Sequence, residues 1–477
     1  MTHKKVIVIG GGISGIKTAL DLYNGGVQDT LVLEARDRLG GRLLSIQSTN
    51  SNDKRIKYDL GASWFHDALN NPLFERSIEK GNVDYYYDDG KCIYFSKDEK
   101  DISTWRFSAT LDEFMAYSQF VYKQNPSKPD ISLKELSEEY VQKYKDRLTQ
   151  DQIKYGLASV RMWAELWQGE SWDKLSAKYC FGGDHLGRNV YVKNGYVTVF
   201  NNELVELPQS YRENNIKLNT RVTTIDYTSS KYIEITTSRN EKYTCDYVVS
   251  TIPQSLLTIN DLNDPCYIKW IPSLPRHISS IMPSVKFSSL GKVVLEFDST
   301  FWPTDVERFY CITDGVPSSS SDSKSIKPWQ YPTILINYHK LAGTSTLVAL
   351  TQNPLSAYIE GLLGGDKDTK IWEIFQPLLQ NISGLTNIPA PKRIYHTPWN
   401  NDKYARGSYS TTLVGCDDPS EVVNAFVEGI EDRVRFAGSE TVDGSANGCA
   451  HGGWFSGERE ANFILNMIRK ERVASKL

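Results

Sequence analysis

A glycine-rich loop near the amino end has the spacing that binds a dinucleotide phosphate. Gly10, Gly12 and Gly15 follow an apolar run at residues 6–9 in a G-x-G-x-x-G pattern. The first glycine permits a tight turn, the second permits close approach of the backbone to a pyrophosphate, and the third permits close packing of helix on strand. Glu34 ends a second apolar run about twenty residues later, where a carboxylate can bind a ribose. The pattern predicts a βαβ unit that binds a dinucleotide at a helix N-terminus.

The loop after Glu34 is basic and rich in glycine, which an ordinary NAD site does not require. Residues 34–42 read E-A-R-D-R-L-G-G-R, so that Arg42 can return to the same pyrophosphate. This segment resembles the motif that follows the first βαβ unit in the flavin-containing amine oxidases, the family of the monoamine and polyamine oxidases. D-L-G-A-S-W at 59–64 and R-F-A-G-S-E-T at 435–441 resemble further motifs of that family. The resemblance spans nearly the whole chain and is nearest to the fungal polyamine oxidases.

The resemblance implies FAD as the cofactor. By resemblance, Val222 meets the adenine through its backbone, and Glu440 binds groups on the ribityl or pyrophosphate side. The fungal pattern has its glutamate one position earlier, at Ser439, so the register of Glu440 stays open by one residue. Monoamine oxidases bond their flavin covalently through a cysteine at the position of Ser408, so the serine here implies a non-covalent FAD. The residues implied for cofactor binding are Gly10, Gly12, Ser14, Gly15, Glu34, Ala35, Arg42, Gly61, Ala62, Val222, Trp399 and Glu440.

Lys292 is the first of four residues expected to act in the chemistry. It lies in the strand-like apolar run at residues 289–297, and by resemblance it reaches the flavin through a water. Burial of a lysine among apolar residues is costly unless something requires it. The alternative is an edge lysine that faces solvent.

Aromatic residues near the carboxyl end are expected to confine the amine. Trp399 and Tyr409 lie in a segment that resembles the one placing aromatics against flavin and substrate in the family, and an aromatic face also attracts an approaching ammonium. The alternative interpretation is that both residues only pack in the core, and it is better supported for Trp399 than for Tyr409. The second aromatic of the family's cage corresponds to His451, where the family has tyrosine.

Histidine and amide side chains complete the expected substrate site. His66 matches a histidine near the reacting amine in fungal polyamine oxidases, and a core histidine is the alternative. Asn189 and His185 lie in H-L-G-R-N at 185–189, which resembles a family segment whose asparagine hydrogen-bonds the substrate. Trp167 resembles a tunnel-wall residue, although Trp163 and Trp167 at i, i+4 could instead form one buried helix face. The residues implied for catalysis are Lys292, His66, Asn189 and Tyr409, and those implied for substrate binding are Asp89, Trp167, His185, His451 and Trp64.

An acidic residue is expected to anchor the far end of a polycation. Asp89 matches an acidic residue of the family's tunnel, and an Asp-Asp-Gly hairpin turn at residues 88–90 is an equally good interpretation. Binding of a distal ammonium would fix which carbon reacts, so its loss would lower turnover as well as affinity.

The elements that position these residues indicate an α/β fold. We expect a Rossmann-like FAD-binding domain of the amine oxidase type, built from residues 1–75, 195–285 and 391–477. Residues 76–194 and 286–390 interrupt it and are expected to form an α+β substrate-binding domain over the flavin.

Composition excludes several other classes of protein. The chain has 477 residues and a formal net charge of -4, so it has no basic footprint for nucleic acid. Seven cysteines lie without C-x-x-C spacing, which disfavours a disulfide framework or a metal site. No apolar run approaches the length of a membrane span, and the first strand begins too early for a secretory signal, so a soluble protein is expected. The sequence ends in Ser475-Lys476-Leu477, which reads as a peroxisomal address for the import receptor, with the cytoplasm as the alternative location.

Together these features predict an FAD-dependent polyamine oxidase. It would oxidise spermine, N-acetylated polyamines or both at a carbon next to a secondary amine, with O2 as acceptor and H2O2 as product. Oxidation of primary monoamines is a rival within the same class. A flavin-fold protein that binds a hydrophobic ligand such as a steroid is a rival from another class.

Overall fold

The computed structural model describes residues 2–49, 55–102, 108–181, 185–313 and 326–474, so Ser475-Lys476-Leu477 lies outside the described residues. The strands are β1 Thr2–Ile9, β2 Thr30–Leu33, β3 Ser45–Thr49, β4 Arg55–Asp59, β5 Trp64–Phe65, β6 Tyr85–Tyr87, β7 Cys92–Phe95, β8 Val190–Val192, β9 Ile216–Lys217, β10 Val222–Asp226, β11 Ile233–Thr237, β12 Lys242–Ser250, β13 Lys269–Ile271, β14 Lys286–Ser288, β15 Gly291–Glu296, β16 Arg308–Cys311, β17 Thr333–Asn337, β18 Thr346–Thr351, β19 Arg393–His396, β20 Tyr409–Thr411 and β21 Val434–Phe436.

The helices are α1 Ile13–Asn24, α2 Pro72–Lys80, α3 Ser108–Gln124, α4 Leu133–Tyr144, α5 Leu157–Gln168, α6 Val197–Leu204, α7 Gln209–Asn215, α8 Gln254–Leu257, α9 Arg276–Ser279, α10 Tyr338–Ala342, α11 Leu355–Gly361, α12 Lys367–Ser383, α13 Pro419–Glu428 and α14 Ala450–Ala474. Short 3-10 helices span Lys145–Arg147, Met282–Ser284, Ser439–Thr441 and Gly444–Ala446, and a π-helix at Gln152–Gly156 leads into α5.

The largest sheet has eight strands, with β1 near its centre. Its order is β13-β10-β11-β12-β1-β2-β9, and β21 pairs with β12. Strand β1 is parallel to both β2 and β12, as a βαβ unit requires. Its last four residues are at most 4% exposed, because helices cover both faces and an unbroken apolar run suits such a strand.

Helix α14 packs on α1 and fixes the end of the chain to the first βαβ unit. Thr18 of α1 donates a hydrogen bond to the Gly457 carbonyl oxygen at 3.2 Å. A Cβ at Gly457 would overlap the Ser14 carbonyl oxygen, so the two helices approach as closely as a glycine allows. Ile16 and Ile464 are fully buried in this contact region. Full burial of one isoleucine side chain contributes roughly 1.5–3 kcal/mol to the free energy of folding.

A second sheet lies beside the first and carries Lys292. It has six strands in the order β19-β15-β18-β17-β16-β7. Strand β15 pairs antiparallel with β18 on one side and with β19 on the other, so it is an interior strand. Smaller sheets join β5, β8 and β6, β14 and β20, and β3 and β4.

The sheets draw on distant parts of the chain. The eight-stranded sheet takes its strands from residues 2–33, 216–271 and 434–436, all inside the ranges expected for the FAD-binding domain. Strand β19 also lies inside those ranges, yet it pairs with β15 in the other sheet. The domain limits themselves remain a prediction. Among the described residues, no helix is both long enough and apolar enough to cross a bilayer.

Candidate active site

One cavity of about 830 Å³ runs from the glycine-rich loop to the aromatic residues of the expected substrate site. Its lining includes these residues expected from the sequence: Gly10, Gly12, Ser14, Glu34, Ala35, Arg42, Gly61, Ala62, Val222, Trp399 and Glu440 from the cofactor set, and Lys292, His66, Asn189, Tyr409, Trp64, Trp167 and His185 from the chemical set. Gly15, Asp89 and His451 do not line it.

The glycine-rich loop has the geometry that the spacing predicts. Gly10 has φ +109°, and a Cβ there would overlap Thr251. A Cβ at Gly12 would meet nothing within 4 Å, so this position opens onto the cavity. A Cβ at Gly15 would overlap the Gly10 carbonyl oxygen, so its place is in the packing of α1 on β1. Gly12 caps α1 without a side-chain hydrogen bond, which leaves the N–H groups of the first turn available to a phosphate.

Glu34 is held at the end of β2 by two backbone donors. Its carboxylate accepts from the N–H groups of Gly11 and Arg36, both at 2.7 Å, and its side chain lines the cavity. A carboxylate has about four acceptor positions, so two of them remain for ribose hydroxyls. The open loop, the bare helix start and this carboxylate fit a dinucleotide.

Arg42 and Glu440 form a charged pair in the middle of the cavity wall. Arg42 contacts both carboxylate oxygens of Glu440 and donates to the Ser439 hydroxyl at 3.1 Å and to the Ser408 carbonyl oxygen at 2.8 Å. The acid in this pair is Glu440, while Ser439, the position of the fungal glutamate, contributes its hydroxyl to the same arginine. The Ser408 hydroxyl accepts from the Leu290 N–H at 2.8 Å.

Lys292 is buried on an interior strand, which excludes the edge-lysine interpretation. Its ammonium donates to the carbonyl oxygens of Asp59 at 3.0 Å and Gly61 at 2.6 Å, and to the Ser63 hydroxyl. Burial lowers the pKa of Lys292 to about 8, opposed by the Asp59 carboxylate. Burial likewise raises the pKa of Asp59 to about 6, opposed by Lys292. This lysine can therefore change its protonation state near neutral pH.

Stacked rings form one wall of the cavity. His66 stacks on His185 with centroids 4.8 Å apart, and His185 stacks on Trp167 at 5.6 Å. Trp163 lies 5.6 Å from Trp167 and also lines the cavity. Trp167 is 52% exposed, so the two tryptophans line the opening instead of forming one buried helix face.

His66 is kept neutral by its surroundings. Burial, together with the nearby His185, lowers the pKa of His66 to about 4. Its Nδ1 lies 2.8 Å from Asn189 Oδ1, and because an amide oxygen only accepts, Nδ1 carries the proton. His66 can therefore offer Nε2 as an acceptor.

Trp399 and Tyr409 are both fixed by backbone carbonyl groups. The Trp399 indole donates to the Leu60 carbonyl oxygen at 2.8 Å, and the Tyr409 hydroxyl donates to the Trp167 carbonyl oxygen at 2.7 Å. Burial raises the pKa of Tyr409, so its hydroxyl stays protonated. A Cβ at Gly448 would lie 3.3 Å from the Tyr409 side chain, so a glycine gives this ring its space.

The structure does not bring Asp89 into the cavity. Its side chain is 54% exposed and pairs with Arg188 at 2.7 Å, whereas the preceding Asp88 lines the cavity and pairs with Arg308. Successive residues at a strand end point to opposite sides, and sequence spacing alone did not say which acid faces inward. The hairpin interpretation is also wrong, because β6 and β7 belong to different sheets.

His451 does not form a wall of the cavity either, because Asp67 binds it. His451 is 2% exposed, and its Nε2 lies 3.0 Å from Asp67 Oδ2. The other Asp67 oxygen accepts from His185 Nδ1 at 2.9 Å and from the Leu186 N–H at 2.7 Å. Burial alone would raise the pKa of Asp67, but hydrogen bonds from Ser445, Leu186 and His185 lower it to about 2.

Sequence reasoning missed Asp67, Asp88 and Arg308. Asp67 directly follows His66, and an acid next to a candidate histidine could have indicated a hydrogen-bond partner in the site. Arg308 begins an ordinary strand, and nothing in its sequence neighbours indicates a place in the cavity.

Comparisons with known proteins agree with this geometry. Residues 13–465 match the family described as flavin containing amine oxidoreductase. The corticosteroid-binding protein of Candida albicans is 34% identical over 98% of this chain and 97% of its own length. Polyamine oxidase 4 of Oryza sativa subsp. japonica is 27% identical over 98% of this chain and 90% of its own length. Lysine-specific histone demethylase 1 homolog 1 of Arabidopsis thaliana is 26% identical over 99% of this chain but only 53% of its own length.

The chain belongs to the flavin-containing amine oxidoreductase family. Its fold is the Rossmann-like FAD-binding fold of the amine oxidases, and its cofactor is FAD. The resemblance to the flavin-containing amine oxidases, the fold class and FAD as the cofactor are thereby confirmed, whereas the likeness to fungal polyamine oxidases stays a prediction. A fungal protein is among the similar relatives, and its name refers to corticosteroid binding.

Proposed function

We propose that the protein is a polyamine oxidase. It oxidises spermine, N-acetylated polyamines or both at a carbon next to a secondary amine, and the resulting imine hydrolyses to a shorter amine and an aminoaldehyde. Oxygen is the final acceptor and leaves as H2O2. Polyamine oxidases from plants among the relatives support the proposal at 25–27% identity.

The observation that carries the proposal is the continuity of the cavity. The same space is lined by Gly12 and Glu34 at one end and by Lys292, Tyr409 and Trp167 at the other. A dinucleotide held by the first pair would therefore share one continuous cavity with the slot beside Lys292, where an elongated amine would bind. FAD, when bound there, supplies the two-electron acceptor that amine oxidation needs.

The residues of this chain would position the amine and exclude water. The ring stack of His66, His185 and Trp167 forms one wall, and Tyr409 forms another through its tether to the Trp167 carbonyl oxygen. His66 and Asn189 are joined by a hydrogen bond, and this pair offers the substrate acceptor and donor groups. With a pKa of about 4, His66 accepts hydrogen bonds at neutral pH without taking up a proton.

Lys292 would hold a polar group, such as a water, at the reacting end of the slot. Three protein oxygens accept from its ammonium, which fixes the position of its nitrogen. With a pKa of about 8, the amine can lose one of these protons near neutral pH, and its lone pair can then accept a hydrogen bond from that water.

A peroxide assay with three amines tests this function. Spermine and N1-acetylspermine should generate H2O2, and benzylamine, a primary monoamine, should generate little. Peroxide from benzylamine alone would favour the monoamine oxidase alternative.

Binding of a hydrophobic ligand such as a steroid is the second candidate function. The relative named corticosteroid-binding protein matches 98% of this chain at 34% identity, and the aromatic walls of the cavity suit an apolar ring system. Two results together would favour this candidate. Cortisol should bind the holoprotein, none of the amines should displace it, and none of the amines should generate peroxide.

We further propose that Ser475-Lys476-Leu477 directs the protein to peroxisomes, where the peroxide would be degraded. Removal of Leu477 should release a fluorescent fusion, tagged at its amino end, into the cytosol. Peroxisomal fluorescence that survives the deletion would contradict this location.

A further inference from the structure

Two acidic residues follow β6, and each has its own arginine. Asp88 pairs with Arg308, and their side chains are 2% and 16% exposed. Asp89 pairs with Arg188 at 2.7 Å, and their side chains are 54% and 59% exposed. Only the first pair lines the cavity. Neighbouring acids in the sequence therefore form one pair inside the site and one pair on the surface.

Arg308 lies on the same wall as the residues expected to act on the amine. It begins β16, and its guanidinium carbon is 6.0 Å from the centre of the Trp64 ring. The Lys292 ammonium is 5.4 Å from the same ring. A substrate that reacts beside Lys292 and extends past Trp64 therefore meets Arg308.

Two carboxylates hold the guanidinium of Arg308. Asp88 contacts Nη2, and Glu307 lies 3.8 Å from Nε. Glu307 is itself fixed by the Gly90 N–H at 2.8 Å. Tyr310 also hydrogen-bonds this side chain. A guanidinium has five N–H donors in a rigid plane, so these three partners leave donors for a ligand in the cavity.

The pair changes what the part of the cavity beside Trp64 can recognise. Arg308 is the more exposed member of its pair with Asp88, so a free ammonium in the cavity would meet the guanidinium first and would have to compete with it for the carboxylate. Displacing Arg308 would leave a buried carboxylate unpaired, which is strongly unfavourable. A carbonyl oxygen instead accepts a charge-assisted hydrogen bond from the guanidinium without disturbing the pair.

We propose that Arg308 is a specificity-determining residue that selects amines with a carbonyl oxygen at the far end, as in N-acylated polyamines, over polyamines whose nitrogens are all free. This inference rests on the polyamine oxidase function proposed above and names its substrate class. Arg308 binds the acyl oxygen, Asp88 and Glu307 orient the guanidinium, and the Trp64 ring lies beside both Arg308 and Lys292.

The test compares kcat/KM for N1-acetylspermine with kcat/KM for spermine. The ratio of the two values is informative because partial loss of folded or flavin-loaded protein changes both equally. In the wild-type enzyme the ratio should be at least about 10. In Arg308→Met the ratio should fall about tenfold or more, as expected for loss of a hydrogen bond to a charged group.

A double variant guards against damage from an unpaired buried carboxylate. Arg308→Met combined with Asp88→Asn removes both charges, so no buried ion is left alone. The ratio should fall in this double variant as well. Arg188→Met is the matched control, because it breaks the exposed pair and should leave the ratio unchanged.

This inference would be overturned, and the proposed function would stand, if both amines were turned over with the same ratio in the wild type, in Arg308→Met and in the double variant. A wild-type preference for spermine would also overturn it. Absence of peroxide from both amines in the wild type would contradict the proposed function and this inference with it.

Discussion

At the scale of single residues, Lys292 shows how much the sequence neighbours of one side chain can indicate. A charged residue inside an apolar strand pattern is costly, and its partners in the structure explain why it is tolerated: the carbonyl oxygens of Asp59 and Gly61 and the Ser63 hydroxyl accept its three protons. The sequence indicates the burial. The identity of the acceptors, more than 200 residues away, requires the fold.

Lys292→Met should slow amine-driven flavin reduction, oxygen-dependent reoxidation or both, by roughly tenfold or more, because an apolar side chain cannot hold a polar group or release a proton. Stopped-flow absorbance of the flavin separates the two half-reactions. Lys269→Met, on the exposed face of β13, is the control and should behave as wild type. Unchanged half-reactions in a variant with full flavin content would refute the role of Lys292.

His66 gives a second prediction at this scale, on the pH dependence of stability. Its pKa is about 4 in the folded protein and about 6.5 when unfolded, so the unfolded chain binds more protons between these values. Stability contributed by neutral His66 is therefore complete above pH 6.5 and is lost as pH falls toward 4. Between pH 7.5 and pH 5 the loss is about 2 kcal/mol.

His66→Gln should remove this part of the acid sensitivity. The melting temperature of the variant should fall less than that of the wild type between pH 7.5 and pH 5, by roughly 2 °C for a chain of this size. Other groups such as Asp59, whose pKa is raised to about 6, titrate in both proteins and cancel in the comparison. Equal falls in the two proteins would show that His66 is protonated normally.

At the scale of elements, the first βαβ unit was fully predictable, because strand, loop and helix are contiguous. Residues 6–9 end β1, and α1 starts at Ile13, as the apolar run and the glycines indicate. The segment from β6 to β7 was not predictable in the same way. Its two short strands join different sheets, so the turn residues at 88–90 gave the wrong strand pairing. The resemblance pointed to Asp89, whereas Asp88 lines the cavity.

Alanine at two glycines of the same loop should impair different properties, namely the stability of the protein at Gly15 and its FAD affinity at Gly12. A Cβ at Gly15 overlaps the Gly10 carbonyl oxygen, so Gly15→Ala overpacks α1 against β1 and should cost about 1–3 kcal/mol. A Cβ at Gly12 meets only the open cavity, so Gly12→Ala should weaken FAD binding while the protein packing stays intact.

Melting curves at increasing FAD concentration separate these two effects. Without FAD, Gly12→Ala should melt like the wild type, and added FAD should stabilise it less than the wild type at every concentration, because only its FAD affinity is lower. Gly15→Ala should melt below the wild type even without FAD. Identical curves for the two variants would contradict the different placements of these glycines.

At the scale of the whole molecule, the site exists only where separate sheets meet. Glu34 ends a strand of the eight-stranded sheet, Lys292 lies on the six-stranded sheet, and Tyr409 begins a strand of a third. Sequence motifs identified these residues one at a time. The ion pair of Asp88 with Arg308 and the binding of His451 by Asp67 depend on contacts between segments more than 200 residues apart, which no local pattern encodes.

The same arrangement predicts that the flavin is held by the folded protein and by no covalent bond. Ser408 occupies the position of the attachment cysteine, and its hydroxyl is engaged by the Leu290 N–H. Two further groups that face the cavity from this side, Arg42 and Glu440, form an ion pair with each other.

Precipitation with acid unfolds the protein and should leave the yellow flavin in the supernatant. FAD added before heating should raise the melting temperature in proportion to the logarithm of its concentration. Flavin absorbance in the washed acid pellet would contradict non-covalent binding.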